Sequence, residues 1–283
     1  MKTRKPAVAG AFYAGTKSTL TEQIAGCFTH RFGPGEVPKP VDHGPRKILG
    51  LVSPHAGYEY SGPVAANGYS KLATDGLPDV FVILGPNHTG YGSGVSIVTE
   101  GSWQTPIGSI SIDTELAKLI QKGCGIIDID EEAHAFEHSI EVQLPFIQYL
   151  FNDAAKFVPI CMMMQDLRTS REIAATIIEQ LKGKDFLIIA SSDFVHYEPH
   201  DTVVRKDQTA IDAITRLDDA QLNELGDSGK VTMCGYGPIT TLIAAAKLLG
   251  GVRAELLSHK TSGDITGDKS AVVGYSSLEF LRD

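Results

Sequence analysis

DVFVILGP, residues 79–86, is a run of five apolar side chains closed by Gly85-Pro86. A strand with one wet face would alternate apolar and polar positions. This one does not, so both of its faces must be covered. DFLIIASSD (185–193) repeats the pattern, and KILGLVSP (47–54) comes close to it. Between and after these runs lie amphipathic stretches of helical length: SGPVAANGYSKLA (61–73), TELAKLIQKG (114–123), SREIAATIIEQLKG (170–183) and GPITTLIAAAKLLG (237–250). Glycine after the last apolar residue is a usual helix stop. Buried strands alternating with helices predict an α/β fold, with one domain built on a central mixed, largely buried sheet and helices on both faces. Shorter strands are expected at 94–99, 108–113, 156–163, 253–260 and 271–280, and further helices around 137–151, 202–216 and 219–226. GPGEVPKPVDHGP (33–45) reads as a surface loop, so residues 1–45 form an arm and loop within a single domain of 283 residues.

The chain is 42% hydrophobic and 21% charged, with a net charge of −9. That acidity argues against non-specific nucleic-acid binding, which depends on neutralising phosphates. No stretch approaches the roughly 18 apolar residues that would span a bilayer. The apolar part of MKTRKPAVAGAFYAG is too short and too interrupted by glycine for a signal peptide. The expectation is a cytoplasmic protein with no nucleic-acid or membrane partner. Cys27, Cys124, Cys161 and Cys234 are far apart and form no C-x-x-C pair, which fits reduced thiols that are mostly small buried apolar residues.

Three apolar strands end in polar residues. Pro54-His55 follows the first, Asn87-His88 the second, and Ser192-Asp193 the third, with His196 close behind. If the strands are parallel, these residues share one edge of the sheet, where ligands of such folds collect. Taken singly, each histidine reads equally well as a turn-capping or surface imidazole. Cys234 precedes Gly-Tyr-Gly-Pro and then an apolar helix. A thiol near a helix N-terminus is expected to have a lowered pKa, and the thiolate is the form that binds metal or attacks substrate. Two imidazoles and a thiolate suit Fe, Cu or Zn.

HAFEH (134–138) matches the zinc-protease pattern H-x-x-E-H, but so short a pattern often arises by chance. The preferred reading is a helix kinked near Pro145, with Ile140, Leu144, Ile147 and Phe151 facing the core. Glu137 and His138 then stand at the edge of the site, and Tyr58 and Asn87 are further candidates to line it. Met162-Met163-Met164 reads as core filler.

KPAVAGAFYAG, SPHAGYEYSG, ILGPNHTG, EHSIEVQLPF, SSDFVHY and MCGYGPI occur in this order from the N-terminal arm to about residue 240. Together they resemble the Memo family, whose prokaryotic members are often called AmmeMemoRadiSam system protein B. The resemblance implies a fold like that of the class III extradiol dioxygenases. It implies metal ligation by His55, His88 and Cys234, with His196 as a further pocket histidine and Asp193 as its neighbouring carboxylate. It implies Fe(II) or Cu as cofactor, with Zn as another fit for the donors. Gene association implies radical-SAM and AMMECR-type proteins as partners. A cysteine at the third ligand position departs from the two-histidine, one-carboxylate pattern, so ring-cleaving activity does not carry over.

Three functions follow as expectations. The first is a metal-dependent oxidoreductase with His196 as general acid/base and Asp193 orienting that imidazole or stabilising its charged form. The second is a metal-free hydrolase with Cys234 as nucleophile, His196 as base and Asp193 as orienter. The third is a module that binds a small molecule or peptide for partner proteins.

Overall fold

The apolar runs around residues 80–86, 186–191 and 48–53 lie side by side in one sheet. The computed structural model describes residues 2–283. The chain begins with β1 (Thr3–Arg4), α1 (Lys17–Thr29), β2 (Ile48–Ser53), α2 (Gly62–Asp75), β3 (Val80–Pro86), β4 (Val95–Ile97), β5 (Ser102–Gln104) and β6 (Ser109–Ile112). It continues with α3 (Thr114–Gly123), β7 (Asp128–Ile129), α4 (Glu132–Ala135), a 3-10 turn (Glu141–Gln143), α5 (Leu144–Phe151), a second 3-10 turn (Asn152–Ala154), β8 (Lys156–Met162) and α6 (Leu167–Gln180). It closes with β9 (Phe186–Ser191), β10 (His196–Glu198), α7 (His200–Thr215), α8 (Asp219–Asp227), α9 (Tyr236–Leu249), β11 (Val252–Thr261), α10 (Ser262–Thr266) and β12 (Val272–Arg282).

The sheet order is β1-β5-β6-β8-β3-β9-β2-β12-β10, with β4 also on β8, β7 on β4 and β11 on β12. The central strands β8, β3, β9 and β2 run parallel, and every residue of β2, β3 and β9 is buried. Antiparallel β12 extends this core on β2, which makes the sheet mixed. Two neighbouring residues of β2 show why its apolar run is continuous. A side chain on Gly50 would collide with Leu242 of α9, whereas Leu51 packs against Gly68 of α2. Successive strand residues point to opposite faces, so helices must lie on both sides. The expected α/β architecture is what forms.

Three elements differ from the expectation. The N-terminal arm contains α1, capped by Thr16 and burying Leu20, Ile24, Cys27 and Phe28 along one face. The helix expected at 137–151 is broken into a turn, the 3-10 segment and α5. Pro145 does not kink it but sits in the first turn of α5, where its missing N–H costs nothing. Met163 and Met164 are partly exposed rather than core filler.

The arm is also tied down electrostatically. The Arg4 guanidinium donates to Glu141 Oε2 at 2.6 Å, to the His134 carbonyl at 2.7 Å and to the Glu137 carbonyl at 2.7 Å. Glu141 is fully buried and also accepts from the backbone of Ala7 and Val8 and from the Tyr13 hydroxyl. Among the described residues, no helix is long and apolar enough to cross a membrane.

Candidate metal centre

Ser53 of β2 pairs with Ser191 of β9, and Leu84 of β3 pairs with Ala190 of β9. The three strands therefore end nearly level, and the residues that follow them enter one cleft. Cys234 reaches the same cleft from the loop ahead of α9. Gly235 lets it do so, because a Cβ there would lie 2.3 Å from the Ser191 carbonyl oxygen. The Gly235 N–H donates to Ser192 Oγ at 2.9 Å, fixing the loop against the strand end.

His55 is buried, and its Nδ1 lies 2.8 Å from Ser191 Oγ. Ser191 Oγ donates to the Ser139 carbonyl at 2.7 Å and accepts from Gln143 Nε2 at 2.8 Å. Its one proton is thus spent, and its remaining lone pair can only accept, so His55 carries its proton on Nδ1. Nε2 is left with a free lone pair, 3.2 Å from Cys234 Sγ. Burial, followed by the neighbouring His88, His138 and His196, holds the His55 pKa well below the usual value. The ring stays neutral, as a metal ligand must be.

His88 is oriented by a different partner with the same result. Its Nδ1 lies 2.9 Å from Glu137 Oε1, and a carboxylate can only accept. Nε2 is again left bare. Glu137 is buried and also accepts from the backbone N–H groups of His88, His138 and Ser139. Burial pushes the Glu137 carboxyl up, but the His88 hydrogen bond, the nearby imidazoles and the backbone donors outweigh it and hold the pKa at about 2. His138 stacks on His88 with ring centroids 4.6 Å apart and lies 5.4 Å from the His55 ring. One donor atom each from His55, His88 and Cys234 fits within a mutual spacing of 4.8 Å, and a second such group is His88, Glu137 and His138.

Glu137→Gln provides a test of this orientation. The carboxylate oxygens accept four N–H groups, whereas an amide must turn an N–H toward some of those donors. The substitution is expected to weaken metal binding about 10- to 100-fold, the usual cost of losing the outer partner of a ligand, as read by competition with a chelator. Affinity equal to the wild type would show that Glu137 does not set the His88 ring.

Of the four cysteines, Cys27, Cys124 and Cys161 are buried and Cys234 is partly accessible. The expected lowering of the Cys234 pKa is corrected by the structure. Burial, followed by the Asp193 carboxylate, pushes the thiol up, against the weaker help of the Asp193 N–H, which donates to Sγ at 3.3 Å. A cation in the cleft would reverse this balance, because coordination deprotonates a thiol outright. Gln165 braces the loop by donating to the Cys234 carbonyl at 2.9 Å and accepting from the Gly237 N–H at 2.8 Å.

Asp193 is nearly buried, and burial raises its pKa. Its Oδ1 accepts from the His55 backbone N–H at 2.8 Å, so it fixes the strand end rather than the His196 ring it was expected to orient. Thr232 takes that part. Its carbonyl lies 2.9 Å from His196 Nδ1 and its hydroxyl accepts from the His196 N–H. Nδ1 is therefore the protonated nitrogen, and Nε2 is free to take or give a proton.

Tyr58 and Asn87 each have a structural role. Tyr58 is buried, donates its hydroxyl to the Val142 carbonyl and packs on Phe146. Asn87 Oδ1 accepts from Thr89 and Gly90, shaping the turn that carries His88. The H-x-x-E-H residues do not share a helix. His134 lies in α4 and turns toward the Ser96 carbonyl, whereas Glu137 and His138 face the cleft. Ser191, Gln143 and Gln165 were missed; each is a polar residue beside an apolar run, a signal too common to read alone.

A family model described as Memo-like protein matches residues 4–279. The chain belongs to the Memo family. A MEMO1 family protein of Methanopyrus kandleri is 50% identical over 281 residues, covering 99% of both chains. A MEMO1 family protein of Pyrobaculum aerophilum is 50% identical over 284 residues, covering 100% of both. The crystal structure of an uncharacterized protein from Escherichia coli K12 superposes with a TM-score of 0.53 at 14% identity, covering 82% of this Memo chain and 99% of its own. At that identity the likeness concerns the fold alone.

Proposed function

We propose that this Memo-family cleft binds one transition-metal ion through His55 Nε2, His88 Nε2 and Cys234 Sγ and carries out redox chemistry on a small substrate. The observation that carries the reading is the pair of tied Nδ1 atoms. Ser191 and Glu137 occupy them, so both Nε2 lone pairs are left free within reach of the same thiol. Two imidazoles and a thiolate suit Fe(II), Cu or Zn. When bound, such an ion supplies Lewis acidity and, for iron or copper, electron transfer, with positions beyond the three protein donors left for substrate. His196 serves as general acid/base through Nε2, held by Thr232 at its other nitrogen. The Asp193 carboxylate lies close enough to His196 for the two charges to interact. Gln143 and Ser191 keep the His55 ring from turning over.

Titration with Co(II) tests the donor set. The wild type is expected to develop thiolate-to-cobalt charge-transfer absorption, Cys234→Ser to lack it, and His196→Gln to retain it. A cobalt-loaded wild type without that absorption would remove sulfur from the ligand set. The 3.2 Å contact between Cys234 Sγ and His55 Nε2 favours, as a second reading, a metal-free thiol hydrolase. The raised thiol pKa opposes it. Iodoacetamide is accordingly expected to label Cys234 slowly in metal-free protein at neutral pH, and rapid labelling lost in Cys234→Ala would favour the hydrolase.

A further inference from the structure

The backbone is strained beside His196. Among the described residues, four that are not glycine have a positive φ: Arg46, Asn152, Tyr197 and Leu217. Asn152 and Leu217 follow the ends of α5 and α7, where a left-handed residue is a common helix stop. Arg46 is held by its guanidinium, which donates to the Asp75 and Asp185 carboxylates. Tyr197 instead lies inside β10, with a φ of 59°, and is 77% exposed. A bulky residue makes this conformation costly, and so exposed a ring recovers little by packing.

The strain has a local cause. His196 pairs with Val273 of β12 and Glu198 with Val272, so two residues of β12 face three of β10 and Tyr197 is the extra one. It forms a β-bulge, a device that re-aims a neighbouring side chain and recurs next to active sites. Both flanks of the bulge are fixed. Val195 donates its N–H to Asp207 Oδ1 at 3.0 Å and accepts from the Gly274 N–H at 2.9 Å. Lys206 Nζ donates to Glu198 Oε1 at 2.6 Å. A strained residue persists where its surroundings over-determine it in this way. Between these anchors His196 puts its N–H on Thr232 Oγ1 and its Nδ1 on the Thr232 carbonyl. A regular ladder would have no room for the extra residue, and a one-residue slip turns a strand side chain to the opposite face. With Glu198 held by Lys206, the side chain displaced would be that of His196.

We propose that the left-handed bulge makes Tyr197 a positioning residue for His196, holding the imidazole with Nδ1 on the Thr232 carbonyl and Nε2 free for proton transfer. The backbone conformation does this, and the phenol ring is not required for it. The proposal rests on the reading of His196 as the acid/base group, but its test needs neither metal nor substrate.

Imidazole nitrogen shifts in metal-free protein carrying isotope-labelled histidine, at about pH 9 where the rings are neutral, report which nitrogen bears the proton. His196→Gln assigns the signal. The wild type is expected to show His196 in the Nδ1–H form at about tenfold excess, the preference that one hydrogen bond confers. Tyr197→Gly and Tyr197→Asn share little with tyrosine except tolerance of a left-handed backbone, and both are expected to keep that excess. Tyr197→Val does not tolerate it and is expected to give a mixture of the two forms. His55, whose Nδ1 proton is fixed by Ser191, is expected to keep its spectrum in all three variants. Loss of the Nδ1–H form in Tyr197→Gly would show that the ring holds His196, and an unchanged excess in Tyr197→Val would show that the bulge does not; either result overturns the proposal. A wild type without the excess would overturn it too, as would a His55 spectrum that changes together with that of His196 in Tyr197→Val, the mark of a general distortion.

Discussion

Cys234→Ser is expected to lower metal affinity by more than about 100-fold, exceeding the cost of losing an outer partner of a ligand. The variant should also change the pH dependence of binding. In the wild type the thiol is pushed up by burial and by Asp193, so it enters the metal site carrying its proton. Binding must release that proton. His55, held neutral by burial, has none to release near neutrality. Apparent affinity should therefore rise with pH by about tenfold per unit through the neutral range, with about one proton released to a weakly buffered solution for each ion bound. In Cys234→Ser the release from this position should vanish, because a serine hydroxyl keeps its proton. Isothermal titration in buffers of different ionisation enthalpy reads both quantities. A wild type that binds metal with no proton release would mean that sulfur is not a ligand.

Arg4→Ala should produce the largest loss of stability among single substitutions in the arm. Glu141 is fully buried, and Arg4 is its one cationic partner among the described residues. Removing one member of a buried pair costs about 3–5 kcal/mol, because the remaining charge is left uncompensated. Tyr13 and the Ala7 and Val8 N–H groups still solvate Glu141, which places the effect toward the lower end. The midpoint of thermal unfolding should fall by about 6–15 °C for a chain of this size. Lysine cannot stand in fully, since Arg4 uses three nitrogens to reach the His134 and Glu137 carbonyls as well as Glu141. Lys118→Ala is the control. It removes the exposed Lys118–Glu100 pair and should change stability by less than about 1 kcal/mol. An Arg4→Ala protein as stable as the Lys118→Ala protein would show that the arm contributes little to the fold.

The central strands were readable because burial on both faces suppresses the polar alternation that makes a strand ambiguous. The five apolar residues of β3 and the FLIIA run of β9 show this directly. Level strand ends also made His55, His88 and Asp193 legible as a group, since parallel neighbours in register deliver their following residues to one edge. Helix α1 was hidden although its signal was present, in the Thr16 cap and the spacing of Leu20, Ile24, Cys27 and Phe28. The Pro- and Gly-rich segment behind it read as a surface loop, which drew the whole stretch into an irregular arm.

The break before α5 was misread for a related reason. Pro145 is as consistent with a helix start as with a kink, and only the tertiary pull of Glu137 and His138 into the cleft decides between them. The His88–Glu137 and Arg4–Glu141 pairs join residues 49 and 137 positions apart, and no local pattern encodes such a separation. The direction of the Cys234 shift failed because proximity to a helix start was weighed without the burial and the Asp193 charge that oppose it.

The central claim is that His55, His88 and Cys234 together hold a metal ion. Metal content by mass spectrometry, on untagged protein reconstituted anaerobically with iron or copper and then desalted, tests it most directly. The account predicts close to one ion per chain in the wild type and almost none in His55→Ala or Cys234→Ser. No retained metal in the wild type, or equal retention in the two variants, would contradict it.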